Sequence, residues 1–133
     1  MTQEEKQLLL KDLCARLPYK VMVSVQGGEF DSHKYPYQLT AVSKFGLDSF
    51  CRVYHPIYTP FGVPNVEDVK PYLRPMESMT EEEQIKRDEI FGNYILDNHP
   101  AYIDWLNAHH FDYRGMIEKD LAIEAPVDMY KTE

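Results

Sequence analysis

Cysteine is scarce in this chain of 133 residues: there are two, Cys14 and Cys51, 37 positions apart and outside any CxxC spacing. That excludes a zinc knuckle and a disulfide framework, and two reduced thiols are the expectation. Long apolar runs are missing as well. No stretch approaches the roughly 18 residues of a membrane span, and the opening Met1-Thr2-Gln3-Glu4-Glu5-Lys6 lacks the basic-then-apolar order of a secretory signal. A cytoplasmic protein that does not enter membranes is expected. Glycine is limited to six residues, and the single Gly27-Gly28 pair does not have the spacing of a phosphate-cradling loop. Neither GxSxG nor HExxH occurs, which removes the signatures of a nucleophile elbow and of a zinc protease helix.

Basic residues are in deficit: 14 Lys+Arg stand against 22 Asp+Glu, a net charge of -8. A general grip on nucleic acid needs cations to match phosphates, so that class is disfavoured. The imbalance is confined to one half. Residues 1–70 carry 8 basic and 8 acidic side chains, whereas residues 71–133 carry 6 and 14, together with the only Trp and three of the five His. Apolar residues are present in quantity, at 44% hydrophobic and 13% aromatic, enough to offset the entropy of ordering the chain. The length suits one core rather than two. A single domain over 1–133 is expected, with a helix plus β module over 1–75 and an acidic helical module over 76–133.

Thr2 and Glu5 form a capping box, and Leu9, Leu10, Leu13, Cys14 and Leu17 then recur at three- and four-residue steps, which predicts a helix from Gln3 to Leu17 ended by Pro18. From Lys20 the period becomes two, with Val21, Val23 and Val25 on one side, until Gly27-Gly28. Two further alternating runs, Tyr37 to Ala41 and Ser49 to Tyr54, suggest an antiparallel meander, with the turn signal Gly46-Leu47-Asp48 between them. Residues 56–64 hold three prolines and a glycine and read as a surface loop, and Val66 to Leu73 reads as a short edge strand. A second capping box, Thr80 to Glu83, opens a helix from about Glu81 to Phe91 or on to Ile95. Pro100 starts a third helix with Tyr102, Trp105, Leu106 and His109 on one face, and Asp112 caps a short fourth carrying Tyr113, Met116 and Ile117. The fold class is α+β: an amino-terminal helix, a small antiparallel sheet or SH3-like barrel, and a carboxy-terminal helical layer packed through Trp105, Leu106, Met116 and Ile117.

The densest set of metal-ligating residue types is His99, Asp104, His109, His110 and Asp112. His109 and His110 are adjacent, so on a helix they diverge by about 100°, and no metal site is assigned to them. Cys51 and His55 are four apart on one strand, about 13 Å along it, too far for joint coordination. Asp48, Asp68 and Lys70 can be drawn as the carboxylate and lysine set of a metal-dependent nuclease, but the pattern is short. No catalytic residue, metal ligand or cofactor is nominated. Tyr combines a flat apolar ring with a polar tip, so Tyr35, Tyr37, Tyr54 and Tyr58 are candidates for a binding face. Arg74, His110, Tyr113 and Arg114 join them as candidate binding residues of the second half, although for Arg114 a structural pair with Asp112 or a helix end is the preferred reading. The acidic face Glu81, Glu82, Glu83, Asp88 and Glu89 is expected to be a solvated helix surface, its sharper alternative being imitation of a phosphate array.

Several phrases resemble an uncharacterised family of small proteins encoded by gut Bacteroidales and their phages or prophages. They are Leu17-Pro18-Tyr19, Val69 through Met76, Ser78 through Glu83, Asp104 through Asn107, His110 through Lys119 and Glu124-Ala125-Pro126. The resemblance implies shared architecture and a mobile-element setting, and no activity. It also implies Gly where this chain has Asp120, a position where a left-handed cap costs Asp more than Gly. The reading that follows is a non-catalytic binding or regulatory protein whose partner is another protein. Its alternative is a small metal-dependent enzyme such as a nuclease.

Overall fold

The capping box at Thr2 is formed in both directions: the Thr2 amide donates to Glu5 Oε1 at 2.9 Å, and the Glu5 amide donates to Thr2 Oγ1 at 3.1 Å. It starts α1, Gln3–Arg16, in a computed structural model that describes residues 1–25, 36–45, 48–55, 59–92 and 100–130. Leu9 and Leu13 are fully buried, and Leu8, Leu10 and Leu17 pack at their edges. Cys14, placed by sequence on the same stripe, is exposed. Its place on the inward face is taken by Asp12 and Arg16, both at 0% exposure, because positions 9, 12, 13 and 16 repeat at i, i+3, i+4 and i+7. A single 3-10 turn, Leu17–Tyr19, carries the chain past Pro18, and Lys20 closes it at φ 58°.

Six strands follow among the described residues: β1 Met22–Val25, β2 Tyr37–Phe45, β3 Asp48–His55, β4 Thr59–Gly62, β5 Val69–Leu73 and β6 Ile123–Glu124. Their order is β4-β3-β2-β1-β5-β6, so the sheet is open, with β4 at one end and β6 at the other, rather than a closed SH3-like barrel. The β1 to β4 pairings and β1 with β5 are antiparallel, whereas β5 and β6 run parallel. Two sequence expectations are corrected here. Part of the expected loop at 56–64 is strand β4, and an edge position tolerates its Pro60. Val66 to Leu73 is not an edge strand: its Val69–Leu73 part lies between β1 and β6. Pro71 is compatible with that position because β6 pairs only with Tyr72 and Leu73, so the missing amide falls before the second neighbour begins. The turn residues Gly46 and Leu47, and Ile95 at the far bound expected for the second helix, lie outside the described residues.

Helix α2, Glu81–Gly92, opens on the expected second box, with the Thr80 amide on Glu83 Oε1 at 3.0 Å and the Glu83 amide on Thr80 Oγ1 at 3.2 Å. Helix α3, Pro100–Ala108, starts at its proline. It ends in a Schellman motif: the Phe111 amide reaches the Leu106 carbonyl at 3.0 Å and the His110 amide the Asn107 carbonyl at 3.1 Å. The left-handed residue this motif requires is His110, at φ 63°. The expected fourth helix is absent. Asp112 does cap, its carboxylate accepting from the amides of Met116 at 2.8 Å and Ile117 at 3.0 Å, but residues 113–122 form successive turns rather than a helix. The same motif recurs there, with Leu121 bonded to Met116 and Asp120 to Ile117, and Asp120 is left-handed at φ 60°. Gly115 at φ 71° breaks the run after one turn.

Among the described residues packing divides into two clusters. The larger joins α1 and the sheet, and it takes in Met116, Leu121 and Ala122 from the second half of the chain. The smaller holds Met79, Leu106 and Phe111, with Trp105 and Tyr113 against them. The helical layer expected through Trp105, Leu106, Met116 and Ile117 is therefore split between the two. No helix among the described residues is long and apolar enough to cross a membrane.

Candidate functional site

Arg74 leaves the end of β5 and joins the α3 C-terminus through backbone bonds: its amide donates to the His110 carbonyl and its carbonyl accepts from the Asp112 amide, each at 2.8 Å. This bridge puts the guanidinium over the Phe111 ring, 4.2 Å from the centroid. The α2 capping box then supplies its partner. Glu83 meets the two Nη atoms at 2.6 and 2.7 Å, a bidentate pair, while still capping Thr80. Burial opposes the Glu83 charge, but the bonds from Arg74 and from the Thr80 amide outweigh it and hold the carboxyl down to about 2.

Behind Phe111 lies a second ionic group that the sequence reading did not single out. Arg16 donates from Nε to Asp12 at 2.9 Å and from Nη2 to the Phe111 carbonyl at 2.6 Å, and Arg114 reaches the other Asp12 oxygen at 2.6 Å. The Tyr113 ring lies beside both guanidiniums, 5.5 Å from Arg16 and 4.6 Å from Arg114. Arg114 is thus a structural residue, bound to Asp12 rather than to Asp112. The available signal was the i, i+4 spacing of Asp12 and Arg16 on the same face as Leu9 and Leu13.

His110 is buried and its ring stacks on Tyr130, with centroids 3.7 Å apart. Burial, followed by the charge of Arg16 and of His109 and Arg74, lowers its pKa to about 4. Tyr130 brings the carboxy-terminal segment back across the sheet. Its hydroxyl accepts from the Met22 amide and donates to the Tyr72 carbonyl, each at 2.8 Å, and burial raises its pKa.

Between the start of α2 and this returning segment lies a groove of about 630 Å³, with Arg74, Glu82 and Glu83 on one side and Pro126, Val127 and Asp128 on the other. Val127 projects into solvent at 96% exposure. Ser78 donates its hydroxyl to the Pro75 carbonyl at 2.7 Å, and His109 Nδ1 lies 2.9 Å from the Trp105 carbonyl, so neither faces a nucleophile or base partner. Elsewhere, burial raises the Cys51 thiol to about 12, far from the range of a reactive thiolate.

Of the eight sequence candidates only Arg74 lines this groove; Tyr113 lines a second hollow nearby, and His110 and Arg114 lie around Phe111 without lining either. Tyr37 is 2% exposed and lies edge-on to His55, so it is a core ring and not part of an exposed face. Tyr54 is 40% exposed on the other side of the sheet, opposite Gln38. Tyr35 and Tyr58 lie outside the described residues, as does His99. Lys70 pairs with Asp120 at 3.0 Å, and Asp68 is exposed. Among the described residues no three His, Cys, Asp or Glu side chains converge as metal ligands. Comparison with known proteins finds no matching family model, no matching curated protein and no matching solved structure.

Proposed function

We propose that this chain is a non-catalytic binding protein that recruits or regulates another protein through the groove between α2 and the returning carboxy-terminal segment. One observation carries the reading. A concave surface of about 630 Å³ is built by three separate elements, and its arginine is immobilised by a bidentate carboxylate rather than poised toward a reacting group. Pre-organised walls reduce the ordering cost of association, which is what a recognition surface needs and a solvated helix face lacks. Val127 adds an exposed apolar contact at the rim. The setting proposed is a phage or other mobile element, on the strength of the resembling phrases.

The test is site-specific photocrosslinking in host cells. A photoreactive residue at Val127 is expected to give a discrete protein adduct, and the same group at Val63, exposed at 60% away from the groove, is expected to give none. The absence of an adduct at Val127, or an identical pattern at both positions, overturns the proposal.

A further inference from the structure

The groove beside Arg74 and a second hollow of about 490 Å³ meet along Pro75 and Glu124, which line both. Acidic side chains outnumber basic ones along this trough. Arg74 is the only Arg or Lys lining the first groove among the described residues, and Glu83 already occupies both of its Nη atoms; at the second hollow the Lys119 ammonium lies beside Gly115. Against these cations stand Glu77, Glu82, Glu118, Glu124 and Asp128, all exposed, none of whose carboxylates enters a hydrogen bond or ion pair among the described residues. Carboxylates left in water along a concave path retain their full capacity to pair. Pro75, Pro126 and the projecting Val127 add apolar surface between them.

Resting on the binding reading above, we infer that the trough takes an extended, basic segment of the partner protein, with Lys or Arg side chains in the two hollows and an apolar residue against Val127. Two neighbouring hollows that share Pro75 and Glu124 fit successive side chains of an extended chain better than one compact ligand. Nucleic acid is opposed by the like charge of the walls, and a second copy of this chain by its own net charge of -8. Charge complementarity of this kind speeds encounter and selects against acidic competitors.

The experiment uses the full chain and fluorescence anisotropy with a short labelled peptide alternating arginine and valine, beside its twin carrying glutamate for arginine. The arginine peptide is expected to bind, more weakly as salt rises, and the glutamate twin is expected not to bind. The triple variant Glu82→Gln, Glu124→Gln, Asp128→Asn should weaken binding by about tenfold. A charge-matched control, Glu4→Gln, Asp68→Asn, Asp104→Asn, removes exposed acids that do not line the trough and should leave binding within about twofold. Equal loss in both variants, equal binding of the two peptides, or no binding at low salt overturns the inference. The Val127 crosslink reads separately: a captured partner without preference for the arginine peptide removes the basic-segment inference and leaves the groove reading standing.

Discussion

The His110 and Tyr130 rings lie nearly parallel, 18° apart in plane with centroids separated by 3.7 Å. The stack joins the α3 terminus to the returning carboxy-terminal segment. His110 sits in the left-handed conformation at the α3 terminus, normally a glycine position, and the stacked ring covers the imidazole there. Tyr130 in turn spends its hydroxyl on the sheet. The register that pairs Val23 with Pro71 places Met22 opposite Tyr72, and the hydroxyl bonds the backbone of both residues just where the ladder stops. One side chain therefore ties together the α3 terminus, β1, β5 and the wall of the groove.

Tyr130→Phe keeps the stack and removes the bridge. The Met22 amide and the Tyr72 carbonyl then lose a buried partner, which costs about 1–3 kcal/mol. Urea unfolding at neutral pH is expected to show that loss, and hydrogen exchange at the Met22 amide is expected to accelerate relative to other β1 amides. A stability change below about 0.5 kcal/mol, within the range of ordinary surface substitutions, would show that the hydroxyl contributes nothing.

Asp12 is the sole carboxylate hydrogen-bonded to Arg16 and Arg114 among the described residues, and it is completely buried. Replacing it with Ala leaves two interior cations facing each other, so Asp12→Ala should destabilise by about 3–5 kcal/mol. The half-exposed pair Lys6 with Glu67, at 2.9 Å, supplies the comparison: Lys6→Ala should cost under about 1 kcal/mol. Chemical denaturation of both variants measures the difference, and equal losses would refute a special role for Asp12.

The contrast between those two pairs explains how far the sequence could be read. Both capping boxes, the helix starts at Gln3 and Pro100 and the alternation in β1 to β3 were legible because each is encoded within a few neighbouring residues. β6 was not, since two residues carry no periodicity and its pairing with Tyr72 and Leu73 is set by contacts some 50 positions distant. The expected fourth helix failed for a local reason that was present but outweighed. Gly115 breaks the backbone one turn after Asp112, and the apolar spacing of Tyr113, Met116 and Ile117 concealed it. Of the site, Arg74 and His110 were named from their residue types, whereas Asp12, Arg16 and Tyr130 meet them only through tertiary structure.

Asp120 tests the backbone rule apart from burial. Its φ of 60° is a glycine conformation, and its side chain is 90% exposed while pairing with Lys70 at 3.0 Å. An exposed pair contributes under about 1 kcal/mol, and relief of the left-handed strain is of about the same size or larger. Asp120→Gly is therefore expected to raise the melting temperature slightly, and Asp120→Ala, which loses the pair and keeps the strain, to lower it. The order Gly, Asp, Ala in thermal unfolding is the outcome that supports the argument, and Ala above Gly is the one that refutes it.

Acid should loosen the structure in two stages with separable origins. A native His110 pKa of about 4, below the ordinary 6.5, means that the unfolded chain takes up the proton first. Stability therefore falls as pH drops from about 6.5 to about 4, by roughly 2–3 kcal/mol from this residue. Glu83, held at about 2 against an ordinary 4.5, contributes stability above pH 4.5 that disappears on the way down to about 2. His110→Phe retains an aromatic ring against Tyr130 and cannot titrate, so its unfolding free energy should be flatter than wild type between pH 6.5 and 4. Below that window the two curves should run parallel, because Arg74 and Glu83 are unchanged. Urea titrations at half-unit pH steps resolve the two limbs, and an unaltered slope in the upper limb would show that another group, rather than the stacked imidazole, governs the acid response.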